Sequence, residues 1–179
     1  MEEIKTYQLS NSNGLTVEFI AYGGKIISVK LPNGDSKVDV MIGYQTVQEV
    51  IAGDLYIGAI CGRFANRIAG GSVELDGKTF QMIKNEGGNN LHTDLDSGLH
   101  KVFWQTEGCG DNITFTVNIP DGKYGLPGNR MMIVSYTLTA DDVLRIAYYA
   151  ISDKTTVLNP TNHSYFNLAG EESGKIEIT

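Results

Sequence analysis

Apolar and polar positions along this chain alternate with a period of two much more often than they recur every three or four residues. Leu15, Val17, Phe19 and Ala21 take every second place, Gly23-Gly24 interrupts, and Ile26-Ile27-Ser28-Val29-Lys30-Leu31 resumes the run, which predicts strand, bend, strand. Pro32-Asn33-Gly34-Asp35 predicts a turn, because proline presets one φ and Asn-Gly accepts positive ones. Val38, Val40 and Ile42 continue the alternation, and Ile57 to Ile60 reads as a short apolar strand. Val73 and Leu75 before Asp76-Gly77, with Phe80 and Met82 after it, predict a hairpin over 72–82. Ile113 to Val117 is a further strand, and Met131 to Leu138 is expected to pair with Val143 to Ala150 across Thr139-Ala140-Asp141-Asp142. Helical periodicity is limited to one turn over Thr46 to Ala52. Short strands separated by glycine-rich turns, with 21 glycines in all, predict an all-β antiparallel sandwich.

Composition narrows the class. With 179 residues, the chain has room for one domain or part of one. Its 41% hydrophobic and 20% charged residues are globular proportions. The net charge of −7, with basic residues scattered, gives no footprint for nucleic acid or for an anionic membrane surface. Met1-Glu2-Glu3-Ile4-Lys5 lacks the basic and apolar regions of a secretory signal, and no apolar run approaches the roughly 20 residues of a membrane-spanning helix, so a cytoplasmic location is expected. Cys61 and Cys109 stand in unlike contexts and suggest neither a disulfide nor a metal knuckle.

The chemistry concentrates in Asn159-Pro160-Thr161-Asn162-His163-Ser164-Tyr165-Phe166-Asn167-Leu168-Ala169-Gly170. Histidine alone has an unperturbed pKa near neutrality, and His163 stands among Asn, Ser and Tyr donors. A single histidine in a polar turn is usually structural. Weight comes from a second cluster, GRFANRIAGG over 62–71, followed by Asn85-Glu86-Gly87-Gly88-Asn89-Asn90-Leu91-His92. Two histidines, an arginine and several amides at strand ends and loops can converge on one ligand whose groups both donate and accept hydrogen bonds. An aromatic such as Phe64, Tyr165 or Trp104 could cover an apolar face of that ligand, although core packing is the expected role of Trp104 and Phe166.

Read together, GRFANRIAGGSVELDG, NNLH, Lys101-Val102-Phe103-Trp104, DGKYGLPGN and NPTNHSYFNLAG resemble the galactose mutarotase (aldose 1-epimerase) family, in that family's order and over nearly the whole chain. The resemblance implies the large twisted β-supersandwich of mutarotases, here only its N-terminal half, with 1–179 forming part of a single domain. It implies interconversion of the α and β anomers of an aldohexose such as galactose or glucose, with no cofactor and no metal. An acid protonates the ring oxygen, a base takes the anomeric proton, and the ring opens and closes on the other face. Carried onto this sequence, His163 matches the proton donor, Ser164 and Tyr165 the adjoining substrate contacts, Asn66 and Arg67 the substrate-binding pair, and His92 a further contact.

Two departures from the family pattern stand out. Thr93-Asp94 follows Leu91-His92 where the family has two glycines, which alters the loop and adds a charge beside the sugar. The family's glutamate base and a further substrate-binding aspartate lie in a half with no match here. Gly174-Lys175-Ile176-Glu177-Ile178-Thr179 begins a strand pattern without completing it. An open sheet edge and an uncovered apolar face therefore predict association with a complementary C-terminal chain or with further copies. The rival expectation is a non-catalytic carbohydrate-binding or regulatory domain on the same fold. Action on a phosphorylated hexose would call for more cations than Arg63 and Lys101 near the cleft.

Overall fold

The computed structural model describes residues 4–53 and 55–174, so the strand pattern begun over 175–179 lies outside the described residues. Strands β1 (Thr6–Ser10), β2 (Thr16–Ile20), β3 (Lys25–Asn33) and β4 (Ser36–Asp39) form one antiparallel sheet in sequential order. Short β5 (Met41–Ile42) follows, then one helix, α1 (Val47–Ala52). The chain continues through β6 (Ile60–Cys61), β7 (Arg67–Ile68), the hairpin β8 (Ser72–Leu75) and β9 (Lys78–Gln81), and β10 (Asn90–Leu91). A second sequential antiparallel sheet comprises β11 (Gln105–Cys109), β12 (Asn112–Ile119), β13 (Arg130–Leu138) and β14 (Leu144–Ser152). Two short strands, β15 (Thr161–Asn162) and β16 (Tyr165–Phe166), close the described part.

The two four-stranded sheets face each other across one core. Leu9, Val17, Phe19, Ile26 and Val29 from the first meet Ile113, Phe115, Ile119, Met132, Val134, Tyr136 and Leu138 from the second. Along β13 every second residue is buried, the half-buried strand pattern read from the sequence. Phe19, Phe115 and Tyr136 form an aromatic trio with centroids 4.9 to 6.1 Å apart. Each such side chain contributes about 1.5–3 kcal/mol on burial. Strand β1 is not among the strands expected, although its Tyr7 and Leu9 alternate with polar Thr6, Gln8 and Ser10 and pack on the core; β11, Gln-Thr-Glu-Gly-Cys, is almost wholly exposed at a sheet edge and carries no apolar repeat.

Elsewhere the elements follow local chemistry with small shifts. The reversal after β3 is Gly34-Asp35, with Pro32 and Asn33 still in the strand. Pro32 pairs with Lys37 of β4, and it is tolerated because β2 begins at Thr16, opposite Lys30, which leaves no β2 residue opposite Pro32. The strand expected over 57–60 contracts to Ile60–Cys61. Gly58 instead turns at φ +69, and its N–H donates to the His163 carbonyl at 3.1 Å while its carbonyl accepts from Ile26. Thr46 caps α1 in a reciprocal capping box with Glu49, the reason a lone helical turn persists among strands. Strand β14 pairs with β13 on one side and, among the described residues, with nothing on the other; Tyr148, Tyr149 and Ile151 on it are exposed.

Candidate functional site

Two sequence motifs are laced together by backbone. The Ala65 N–H donates to the Asn159 carbonyl at 2.7 Å, and the Asn159 N–H donates to the Arg63 carbonyl at 2.9 Å. Thr161 and Asn162 of β15 pair with Cys61 and Ile60 of β6, and His163 continues with its N–H on the Ala59 carbonyl at 2.9 Å. Asn162 ties this segment to the core, since its Nδ2 donates to the Gly58 carbonyl and to the Tyr136 hydroxyl, 3.1 and 3.2 Å away. His163 is therefore anchored on the sandwich interior through Asn162.

Between the motifs lies an open cleft of about 610 Å3, lined by Asn66, Arg67, His92, His163, Ser164 and Tyr165 together with Ala65, Asn159, Pro160, Thr161 and Asn162. All six residues expected to act on substrate stand on its wall. Asn159, Thr161 and Asn162 also line it, and their place in the Asn-Pro-Thr-Asn stretch was their only signal. The His92 and His163 rings meet edge to face at 5.2 Å, and Tyr165 lies 5.1 Å from His163. Tyr56, which carries no motif, lies against both histidines, tilted at 4.6 Å from His92 and stacked at 5.8 Å from His163. Its phenol is pushed up to about 12, chiefly by burial.

The loop carrying His92 is set by unusual backbone. Asn66, His92 and Thr93 all adopt positive φ, at +67, +52 and +76, a region disfavoured for side-chain-bearing residues. Compensation comes from hydrogen bonds. The Asn66 N–H donates to His92 Nδ1 at 3.0 Å, and the His92 N–H donates to the Asn66 carbonyl at 3.1 Å. Thr93 is fully buried, its hydroxyl accepting from the Phe64 N–H and donating to the Phe64 carbonyl. With Nδ1 accepting, neutral His92 carries its proton on Nε2. Burial, then the neighbouring His163 and Arg67, lowers its pKa, so the neutral form holds at pH 7.

Several expectations change here. The Asp94 carboxylate does not line the cleft; it accepts from Asp96 N–H, Ser97 N–H and the Ser97 hydroxyl within its own turn. Although burial pushes its pKa up, those bonds and Lys123 hold it low. Phe64 packs with Ile68, Met82 and Leu126 in a small second core, leaving Tyr165 as the aromatic on the cleft. Trp104 is buried in the main core with its indole N–H on the Leu99 carbonyl, as expected, but Phe166 is half exposed. Arg63 is fully buried and donates to the carbonyls of Lys123, Leu126 and Pro127 and to the Thr156 hydroxyl, a staple for that loop. Neither Arg63 nor Lys101 borders the cleft. Among the described residues no three His, Cys, Asp or Glu side chains gather as a metal site, and both cysteines are free.

The arrangement can donate and accept protons at two imidazoles, donate from a guanidinium and cover a ring face with a tyrosine. Proteins similar to this chain bear the names aldose 1-epimerase and galactose mutarotase. The family model described as Aldose 1-epimerase matches residues 5–179. An aldose 1-epimerase from Haemophilus influenzae is 40% identical over 93% of this chain and 48% of its own length. Galactose mutarotase from Sus scrofa is 37% identical over 97% of this chain and 50% of its own. In the crystal structure of an aldose epimerase homologue from C. elegans, 51% of the chain superposes on 93% of this one with a TM-score of 0.86 at 29% identity. The chain spans about half the length of the curated relatives it matches.

Proposed function

This chain belongs to the aldose 1-epimerase family, and on that premise we propose that it forms the acid-bearing half of a mutarotase site for uncharged aldohexoses such as galactose or glucose. The observation that carries this reading is the pair of imidazoles 5.2 Å apart on one cleft wall, with Arg67 and Tyr165 beside them. His163 acts as general acid to the ring oxygen, a role worth about a hundred to ten-thousandfold in rate. His92, neutral and protonated on Nε2, donates to a sugar oxygen, and Arg67 donates a hydrogen bond to an oxygen whose electron density changes as the ring opens. Asn66, Ser164 and Tyr165 hold the substrate. Neither metal nor cofactor has a part in this chemistry.

No carboxylate of the described residues lines the cleft, so the base comes from polypeptide beyond them, in a longer chain or a partner. Supporting this are the half-length match to relatives and the unpaired β14 edge with its exposed aromatics. The proposed setting is the cytoplasm, which fits the absence, among the described residues, of any helix long and apolar enough to cross a membrane. Carbohydrate binding without turnover is the second reading, favoured by the same carboxylate-free wall. Polarimetry on freshly dissolved α-D-galactose, with binding measured beside it, separates the two. Accelerated mutarotation supports catalysis, binding without acceleration supports the second reading, and neither one removes both.

A further inference from the structure

Arg67 does not stand alone at the cleft. Its Nε donates to both carboxylate oxygens of Glu86, at 3.0 and 2.8 Å, and its Nη2 donates to Oε1 as well. That fork-on-carboxylate geometry fixes a planar group in one orientation. Nη1 is left over, its protein contact a long 3.5 Å approach to Oδ1 of Asn66, which lines the cleft together with Arg67.

Exposed ion pairs are commonly incidental, but the backbone under Glu86 is built to hold it. Glu86 and Asn89 exchange two backbone hydrogen bonds around Gly87-Gly88, whose φ values of +53 and +88 suit the tight hairpin turn that glycine permits. The turn is braced on both flanks. Asn85 exchanges two bonds with Leu91, the Asn89 Oδ1 accepts from the Gly70 N–H, and Leu91 sits opposite Arg67 in the β7–β10 pair. The Asn-Glu-Gly-Gly-Asn stretch thus delivers a carboxylate to one arginine of the cleft. Each partner's pKa is shifted toward its charged form, chiefly by their mutual hydrogen bonds.

We propose that Glu86 is a positioning and specificity-determining residue: it aims the Nη1 edge of Arg67 at a neutral sugar hydroxyl and cancels the arginine's charge, so the cleft takes uncharged aldoses and rejects anionic ones such as uronates. This rests on the reading of the cleft as a sugar site. A guanidinium without its carboxylate would offer an uronate a bidentate salt bridge; with Glu86 in place the anion meets a like charge.

The test is titration of this chain with D-galactose and with D-galacturonate, followed by NMR, for the unaltered protein, Glu86→Gln and Glu86→Asp. For Glu86→Gln the ratio of galacturonate to galactose affinity should rise about tenfold, the usual scale of removing one like charge from a polar site. Galactose affinity should fall severalfold, and the hydrogen-bonded Arg67 Nε–H resonance should lose its shift and its exchange protection. Glu86→Asp should restore the discrimination against galacturonate. An unchanged affinity ratio in Glu86→Gln, with galactose still bound, overturns the role of Glu86 and leaves the sugar site standing. Failure of the unaltered chain to bind galactose while its Arg67 Nε–H signature still depends on Glu86 overturns the sugar-site reading instead.

Discussion

Along β13, from Arg130 to Leu138, buried and half-buried residues alternate without a break, and the hydrogen-bond register with β12 and β14 is regular throughout. Around His163 and His92 the strands are two residues long, three non-glycine residues adopt positive φ, and side-chain amides close the hydrogen bonding. The sheet is held by long regular ladders and by close apolar packing in the core. The cleft is held by side-chain and loop hydrogen bonds around short strands. Stability and chemistry should therefore separate when each region is altered.

The largest effect expected is on rate. His163→Asn, in the form of the protein that accelerates mutarotation, should lower turnover a hundred to ten-thousandfold, about 3 to 5 kcal/mol of barrier. Its urea midpoint should barely move and galactose affinity should change little. Polarimetry showing near-full activity would remove His163 as the acid and make His92 the candidate.

Phe115→Ala should do the reverse. It empties a fully buried ring position between Phe19 and Tyr136, and such truncations cost about 3 to 5 kcal/mol. Equilibrium urea unfolding measures it, and a loss under 1 kcal/mol would mean that the two sheets do not share one core.

A third change lies between the regions. His100, buried against Tyr56 with its pKa lowered to about 4 by burial and by Lys25 and Lys101, an effect only partly offset by the Leu95 backbone, is neutral in the folded state. Unfolded, it titrates near 6.5, so between pH 6.5 and 4 the unfolded chain binds the extra proton. Stability should fall as pH drops through that window, by roughly 3 kcal/mol at most. His100→Gln should flatten this part of the stability profile, and an unaltered slope would show the imidazole to be solvated.

The smallest effect concerns α1, none of whose residues lines the cleft or belongs to β13. Thr46→Ala removes the helix cap and should cost about 1 kcal/mol, read as a small shift in thermal midpoint with sugar affinity unchanged.

How much was legible beforehand follows the same division. The β13–β14 hairpin, the 72–82 hairpin and the Thr46 helical turn were readable because their signals are local: alternation, Asp-Gly, a capping residue. The cleft was legible as a set of residues through two long motifs, while its geometry was not. Glu86 was named within its cluster but its contact with Arg67, 19 residues away, was not legible, and Tyr56 went unnoticed because it meets His163 across more than a hundred residues, with no spacing to betray either contact. The turn of Asp94 onto Ser97 and the packing of Phe64 into a second core were likewise invisible in the order of residues.

By itself, the sequence determined the sandwich class, most strand positions and the identity of the polar groups that chemistry would draw on, since periodicity and turn preference act between near neighbours. Only the tertiary structure decided which groups meet. Asn162 reaches Tyr136 across the core, a glycine hairpin swings Glu86 onto Arg67, and the Asn66 N–H sets the proton of His92. Those contacts depend on where distant strands stop. That in turn is set by packing and by hydrogen bonds that no local pattern encodes.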